Sequence, residues 1–375
     1  MIEITKLDTG SKAQVNAFVS FQFRLYKDCP LWVPPFIGDV KTMLNRKKHP
    51  FHEHSDVDFF VARKGGEFVG RISAIENKPF NDYHDKKQAA FYLFECVDDQ
   101  DVANALFERV FEWMRKRDLN RLVGPKGYGP LDGYGILIQG YEHRPMMTMM
   151  NYNYEYYPKL LENLGFEKEV DFVSAYLSSD DFKMPKKIHE IARKVEERGT
   201  FRVKNFRSKR ELIAWSGKIG EMYNETFVNN WEYYPLTKRE IKFLVDNIMI
   251  VADHRLIKVI TRKDEIVGFL FAFPDVSDAL QRQKGRITPW GIVDIFLDMK
   301  RTKWVSMNGA GILPRYQGRG GNALLYVEIE KTARGFGFEY VDMTQVAETA
   351  VQMRKDLKNL GGKFYKNHRV YQRGV

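Results

Sequence analysis

The chain repeats itself, and that repeat limits what it can fold into more than any other feature. Val61–Asn77 (VARKGGEFVGRISAIEN) and Ile260–Asp275 (ITRKDEIVGFLFAFPD) both read as a strand, a short charged turn and a second strand opened by Val-Gly, with Gly70 aligned on Gly268. At a similar spacing Ser11 aligns with Ser208. Each serine follows a strand-like run, IEITKL or FRVKNF, and precedes an amphipathic stretch that it is placed to N-cap. Ala105–Arg117 (ALFERVFEWMRKR) parallels Ala323–Gly335 (ALLYVEIEKTARG). Leu160–Phe166 (LLENLGF) parallels Asp356–Gly362 (DLKNLGG), each a helix closing at glycine. Each half reads strand, helix pair, hairpin, strand, helix, strand, helix, strand. The expectation is an α/β fold with mixed sheets, used twice: a first domain over 1–180, a linker helix over 181–200 containing KKIHEIARKVEERG, and a second domain over 201–375.

Composition narrows the function classes. With 375 residues, 29% charged and 44% hydrophobic, the chain is neither disordered nor fibrous. Two cysteines, Cys29 and Cys96, allow no disulfide framework and no CxxC metal site, and suit a reducing compartment. MIEITKLDTG has no apolar signal core, and the longest apolar run, Ile266–Phe273, is far too short to span a membrane. A cytoplasmic protein is expected. The net charge of +10 favours anionic partners. The basic residues are spread along the chain and no nucleic-acid module is present, so nucleic acid is not the expected partner.

The strongest motif is Arg315-Tyr316-Gln317-Gly318-Arg319-Gly320-Gly321. It follows the strand-like KWVSMNGAGIL (Lys303–Leu313) and opens a helix near Asn322. A helix N-terminus carries unpaired N–H groups and a partial positive charge. Glycines let that backbone approach a phosphate closely, and Arg315 and Arg319 add forked cationic donors. The expected ligand is a pyrophosphate. The corresponding place in the first half, Phe94–Asp101 (FECVDDQD), carries three aspartates that would repel one.

The loop resembles the R/Q-x-x-G-x-G/A signature of the GNAT acyltransferases, with Arg315, Gly318 and Gly320 in the defining places. The first half resembles the bacterial ceramide synthase-like tandem GNAT proteins. The matching features are Phe51-His52-Glu53-His54, Val69-Gly70-Arg71-Ile72, Phe94-Glu95, Gly124-Pro125, Asn151-Tyr152-Asn153, Tyr156-Tyr157, Leu164-Gly165-Phe166 and Asp171. The resemblance implies two tandem GNAT domains and an acyl-CoA-dependent N-acyltransferase. Acyl-CoA would be the co-substrate, held by Arg315, Gln317, Gly318, Arg319, Gly320 and Gly321. In some members the acyl chain is long and the acceptor is a sphingoid amine. The second half is expected to hold the donor, and the first to shape the acceptor site.

Acyl transfer to an amine needs a proton acceptor, a polarised carbonyl and a neutralised thiolate. The resemblance assigns carbonyl polarisation to a backbone N–H on the strand Val305–Leu313. Glu95 and Glu348 are the candidate bases. The tyrosine that GNAT enzymes carry four residues before the glycine of the last helix is replaced by Leu161 and Leu357. Tyr156, Tyr157, Tyr365 or water are the candidate acids in its place, the thiolate is also a tolerable leaving group unaided, and His84 and the cluster His49, His52 and His54 are further candidates for proton transfer. Cys96 reads as core. His49, His52 and His54 with Asp56 and Asp58 fit no standard zinc spacing, and no metal is expected.

Gly124–Tyr157 mixes glycine and tyrosine with Met146, Met147, Met149 and Met150, and reads equally as an adaptable lining for a lipid tail or as a cover loop. Lys183, Lys186, Lys187, Arg193, Lys194 and Arg198 form a basic stretch read as a solvated helix face, with peripheral contact to an anionic membrane as the second reading. The alternative functions are an acetyl-CoA-dependent small-molecule or protein N-acetyltransferase, a variant using aminoacyl-tRNA, and a non-catalytic binder of acyl-CoA or lipid.

Overall fold

The computed structural model describes residues 1–146, 150–182 and 184–375. They divide into two compact units. The first comprises Met1–Val173, Ser277–Asp294 and Tyr365–Val375; the second comprises Ser174–Val276 and Ile295–Phe364.

The first unit begins with β1 (Ile2–Lys6), α1 (Lys12–Leu25) and α2 (Ile37–Leu44). The hairpin β2 (Asp56–Lys64) and β3 (Glu67–Glu76), helix α3 (Lys78–His84), strand β4 (Gln88–Cys96) and helix α4 (Gln100–Arg115) follow. Then come β5 (Arg121–Gly124), β6 (Ile136–Gln139), α5 (Tyr157–Asn163) and β7 (Glu167–Ser178). Strands β1 to β4 are antiparallel neighbours, and β5 lies parallel to β4. Val57–Ala62 is buried without interruption because helices cover both faces of this sheet. On one face α4 and α5 pack Phe107, Val110 and Leu161 onto Phe91, Phe94 and Phe166. On the other, α1 and α2 bury Phe18, Val40 and Leu44 with Phe51 and Phe59.

The second unit contains α6 (Lys186–Glu197), β8 (Arg202–Lys204), α7 (Lys209–Thr226), α8 (Lys238–Ile248) and the hairpin β9 (Ile257–Arg262) and β10 (Glu265–Pro274). The chain then supplies α9 (Ser277–Gln283) to the first unit and runs through α10 (Pro289–Arg301). It continues through β11 (Trp304–Ile312), α11 (Gly321–Phe336), β12 (Tyr340–Ala347) and α12 (Val351–Asn359). The last strand, β13 (Lys363–Gly374), belongs to the first unit from Tyr365 onward and pairs there antiparallel with β5. Strands β8 to β11 are antiparallel neighbours and β12 is parallel to β11.

The repeated features occupy equivalent places. Ser11 caps α1 by accepting from the Gln14 N–H, and Ser208 caps α7 by accepting from the Glu211 N–H. A Cβ on Gly70 would lie 2.8 Å from Leu106 Cδ1, and one on Gly268 2.3 Å from Ile312 Cδ1. Both glycines are therefore packing requirements. Among the described residues, no helix is long and apolar enough to cross a membrane.

Candidate active site

In the second unit the parallel pairing of β11 with β12 joins Trp304–Met307 to Tyr340–Met343 and ends there, while β11 runs on to Ile312. The register between β10 and β11 slips between Phe271 and Ala272, leaving Asn308 as the extra residue of a bulge. The Ser306 and Thr344 hydroxyls donate to Asn308 Oδ1 at 2.8 and 2.6 Å, which fixes that side chain. The next three residues, Gly309-Ala310-Gly311, carry nothing larger than a methyl group. A Cβ on Gly309 would meet only Phe271 Cδ2 within 4 Å, at 3.9 Å, whereas one on Gly311 would lie 2.2 Å from Thr226 Cγ2, so the strand is open at Gly309 and packed at Gly311.

The strand then delivers the chain to the glycine loop. Gly318 and Gly320 have φ of 73° and 85°, values that glycine adopts without a Cβ penalty. Gly320 is the N-cap of α11, and no side chain caps the helix. Among the described residues, the N–H groups of Gly318 through Ala323 have no hydrogen-bond partner; the first to find one is Leu324, on the Gly320 carbonyl. A Cβ on Gly320 would lie 2.7 Å from Val195 and 2.9 Å from Ile191, so α6 packs directly against the loop. The residues present fit a pyrophosphate: unpaired donors converge at the positive end of a sixteen-residue helix.

The two loop arginines differ. Arg315 is tied to Glu225 at 3.0 Å and to Glu265, carboxylates that hold its guanidinium above its ordinary pKa. Tyr316 donates to Glu265 at 2.6 Å. Arg319 lies over the Tyr316 ring at 5.5 Å and has no ion pair among the described residues. Gln317 donates to the Ile312 carbonyl and braces the loop. Arg315 thus builds the loop, whereas Arg319 keeps its charge available to an anion.

In the first unit the equivalent stretch carries large side chains. The β3–β4 register slips between Arg71 and Ser73, and Leu93 at the bulge has φ of 50°. Here β4 carries Leu93-Phe94-Glu95. Gly70 pairs with Cys96 as Gly268 pairs with Ile312, so Glu95 stands where the second unit has Gly311. Gln22 Nε2, the Tyr26 hydroxyl and the Tyr157 hydroxyl donate to the Glu95 carboxylate at 2.8, 2.9 and 2.7 Å. Fully buried Arg71 donates to the Phe18 carbonyl and to Gln22 Oε1. Burial pushes the Glu95 carboxyl above the ordinary carboxylate range, while Arg71 and the three donors pull it back. Sequence reasoning gave Glu95 a role, named Arg71 only as part of a matching motif, and passed over Gln22 and Tyr26; the signal was an arginine inside an otherwise apolar strand.

The helix that follows is closed as well. Asp99 is the N-cap of α4 and accepts from the Asp101 and Val102 N–H groups, and it is paired to Lys64 at 2.6 Å. A carboxylate of the chain itself occupies the place an anion would take.

The remaining candidates fall as follows. Tyr156 donates to the Cys96 carbonyl at 2.7 Å and stacks on Tyr157. Cys96 is fully buried, and burial raises its thiol pKa. Glu348 lies in the second unit, in the turn between β12 and α12. Leu161 and Leu357 are both buried in core. Tyr365 contacts the His143 ring edge-on, and His84 packs on Phe80. His52 binds the Met43 carbonyl, His49 accepts from the Phe51 N–H, His54 contacts Ser55, and all three rings lie around Phe51 and Tyr128. Asp58 is held by Lys6, Arg46 and Trp113, and Asp56 by Lys78. No group of three or more potential metal ligands gathers among the described residues. Met146 and Met150 are buried, while Met147 and Met149 lie outside the described residues. Lys186, Lys187, Arg193, Lys194 and Arg198 are exposed on or beside α6; Lys183 lies outside the described residues.

A bulged strand leading into a helix occurs twice in one chain, with the helix capped by glycine in the second half and by Asp99 in the first, and this arrangement matches the tandem GNAT fold. A tandem GNAT protein from the clavulanic acid biosynthesis pathway superposes over 100% of this chain and 98% of its own, with a TM-score of 0.57 at 11% identity. A GCN5-related glucosamine N-acetyltransferase region of a fungal multi-domain enzyme matches with a TM-score of 0.58 at 11% identity, covering 38% of that chain. In sequence, the chain is 26% identical over its full length to the bacterial ceramide synthase of Caulobacter vibrioides, covering 98% of that protein. It is 25% identical to Protein YghO of Escherichia coli over 97% of this chain and 94% of that protein. No family model matches the chain.

Proposed function

We propose that the chain is an acyl-CoA-dependent N-acyltransferase whose donor site lies in the second unit. The uncapped start of α11, which follows the open backbone at Gly309 on β11, supports this most directly. The unpaired amides of Gly318–Ala323 and the Arg319 guanidinium would hold the pyrophosphate of coenzyme A, with Gln317 and Arg315 keeping the loop in shape. The β11 backbone beside the Asn308 bulge would donate to the thioester carbonyl. The amine nitrogen then attacks that carbon, the carbon–sulfur bond breaks, and the sulfur leaves as a thiolate that takes up a proton.

Glu348 shares a unit with the donor loop, and we assign to it the proton released by the amine. Glu95, with both oxygens engaged by three donors, suits a positioning residue for Arg71 and Tyr157. Tyr156 closes the same network. The similarity to a bacterial ceramide synthase favours a long-chain acyl group and a sphingoid amine over acetyl transfer. The deciding experiment follows thiol release from palmitoyl-CoA and from acetyl-CoA, each with sphinganine and with a water-soluble amine. Turnover confined to palmitoyl-CoA and sphinganine is the expected result. Turnover with acetyl-CoA and the soluble amine would replace the lipid reading, and the absence of coenzyme A binding would remove the donor site.

A further inference from the structure

Helix α10 is amphipathic in the reverse of the usual sense. A surface helix turns its apolar stripe inward, yet here Trp290 is 81% exposed and Phe296 52%, with Ile292, Val293 and Leu297 exposed beside them. At 100° per residue these five side chains share one arc, and Ile287 extends it just before the helix. The opposite side holds buried Gly291 and Ile295, the latter 5% exposed. Six exposed apolar residues close together in the chain are the kind of surface that marks an interaction site.

The arc is held in place. Asp294 is gripped by Arg282 at 2.8 Å and by Gln283 at 3.0 Å, away from the apolar side. Thr288 caps the first turn through the Gly291 N–H. The preceding turn is pinned within the first unit, to which it belongs: the Gly285 carbonyl accepts from the Ile37 N–H at 2.9 Å and Gln281 donates to the Pro30 and Trp32 carbonyls. A helix fixed this firmly presents its apolar face as a permanent surface.

Charge identifies the occupant. Lys284 and Arg286 stand before the helix; Lys300, Arg301 and Lys303 stand at and beyond its end, and all five are exposed. The only acids between Lys284 and Lys303 are Asp294 and Asp298, and both lie off the apolar arc. Pairing this face with its own copy sets basic end against basic end in either direction. An anionic lipid surface answers both features: the apolar arc enters the acyl boundary, tryptophan settles at the headgroup level, and the flanking lysines and arginines reach the phosphates. We infer that α10 is a monotopic membrane-docking helix that lays the protein on anionic bilayers. The inference stands on the helix itself, and a lipid acceptor would give it a purpose.

The test is flotation of the full chain with vesicles of phosphatidylglycerol and phosphatidylethanolamine, and with phosphatidylcholine vesicles. Wild type should float with the anionic vesicles, and high salt should weaken the association. Trp290→Asp combined with Phe296→Asp should lower the bound fraction about tenfold or more. Lys300→Glu with Arg301→Glu should lower it on anionic vesicles alone. Coenzyme A affinity, measured on each variant, reports that the fold is intact and tests the donor site separately. Wild type that stays off every vesicle, or flotation indifferent to Trp290→Asp/Phe296→Asp, overturns the proposal. So does a wild-type dimer that the same double variant dissociates, which would make the face a contact between copies.

Discussion

Two helices in this chain begin at equivalent places and end their hydrogen-bonding accounts differently. At the start of α4 the chain puts Asp99, whose carboxylate satisfies two backbone donors and pairs with Lys64. At the start of α11 it puts Gly320, and six successive N–H groups are left without a partner among the described residues. The strands leading in differ in the same direction. Before α4 the bulge is packed with Leu93, Phe94 and Glu95, and the space is closed by Arg71, Tyr26 and Tyr157. Before α11 the bulge is followed by Gly309-Ala310-Gly311. A repeat keeps the scaffold, while the choice between a carboxylate and a glycine at one N-cap decides whether the helix end is sealed or available to an anion.

The comparison is most exposed to failure at Glu95. Glu95→Ala strands Arg71 in the core and should cost the first unit about 3–5 kcal/mol. The measurement is hydrogen exchange of β3 and β4 amides, with coenzyme A affinity unchanged. Glu95→Gln that keeps exchange protection but abolishes turnover would show that Glu95 meets the substrate directly.

A second break is available through pH. His368, fully buried, has its pKa lowered by burial to about 4. The folded state disfavours the charged ring, so this stability is fully present above pH ~6.5 and lost as pH falls toward about 4, amounting to about 3 kcal/mol. Denaturant unfolding at neutral and at acid pH should show that loss in the first unit, and His368→Gln should flatten it.

At the donor loop, Gly320→Val forces a side chain into a left-handed conformation and against α6. If the loop must relieve strain of about 1–3 kcal/mol by leaving its binding conformation, the Kd for coenzyme A should weaken about fivefold to a hundredfold or more, measurable by calorimetry. Arg319→Ala should weaken the same affinity only about fivefold, because one exposed charge is worth about 1 kcal/mol. Arg315→Glu should do more than Arg319→Ala, since it sets three carboxylates together where Arg315 meets Glu225 and Glu265. The smallest effect belongs to the sealed helix: Asp99→Ala should cost about 1 kcal/mol in thermal or denaturant stability and create no coenzyme A binding, because Asp98 and Asp101 remain.

Much of this was legible before any coordinates. The Ser11 and Ser208 caps, the two Val-Gly hairpins, the helix ends at Gly165 and Gly361 and the loop at 315–321 are all local. Each depends on a turn, a cap or a short period written in neighbouring residues. Helices α3, α9 and α10 went unread: the first two span barely two turns, and the third turns an apolar face outward, so a rule that assigns apolar faces to the core misplaces it. Arg315 shows the limit most plainly. A phosphate-binding arginine and a loop-bracing arginine look alike in sequence, and only the approach of Glu225 and Glu265, from α7 and β10, separates them.

Order along the chain determined the twofold α/β plan, the caps and the glycine-rich anion loop, because local backbone geometry answers to local residues. The tertiary structure decided what those elements enclose. It grouped Ser277–Asp294 and Tyr365–Val375 with the first unit, filled one bulge with a buried Arg–Glu–Tyr network and left open space at Gly309 beside the other. Those outcomes depend on side chains far apart in sequence competing for the same volume, and that competition is resolved only when the sheets and helices have packed.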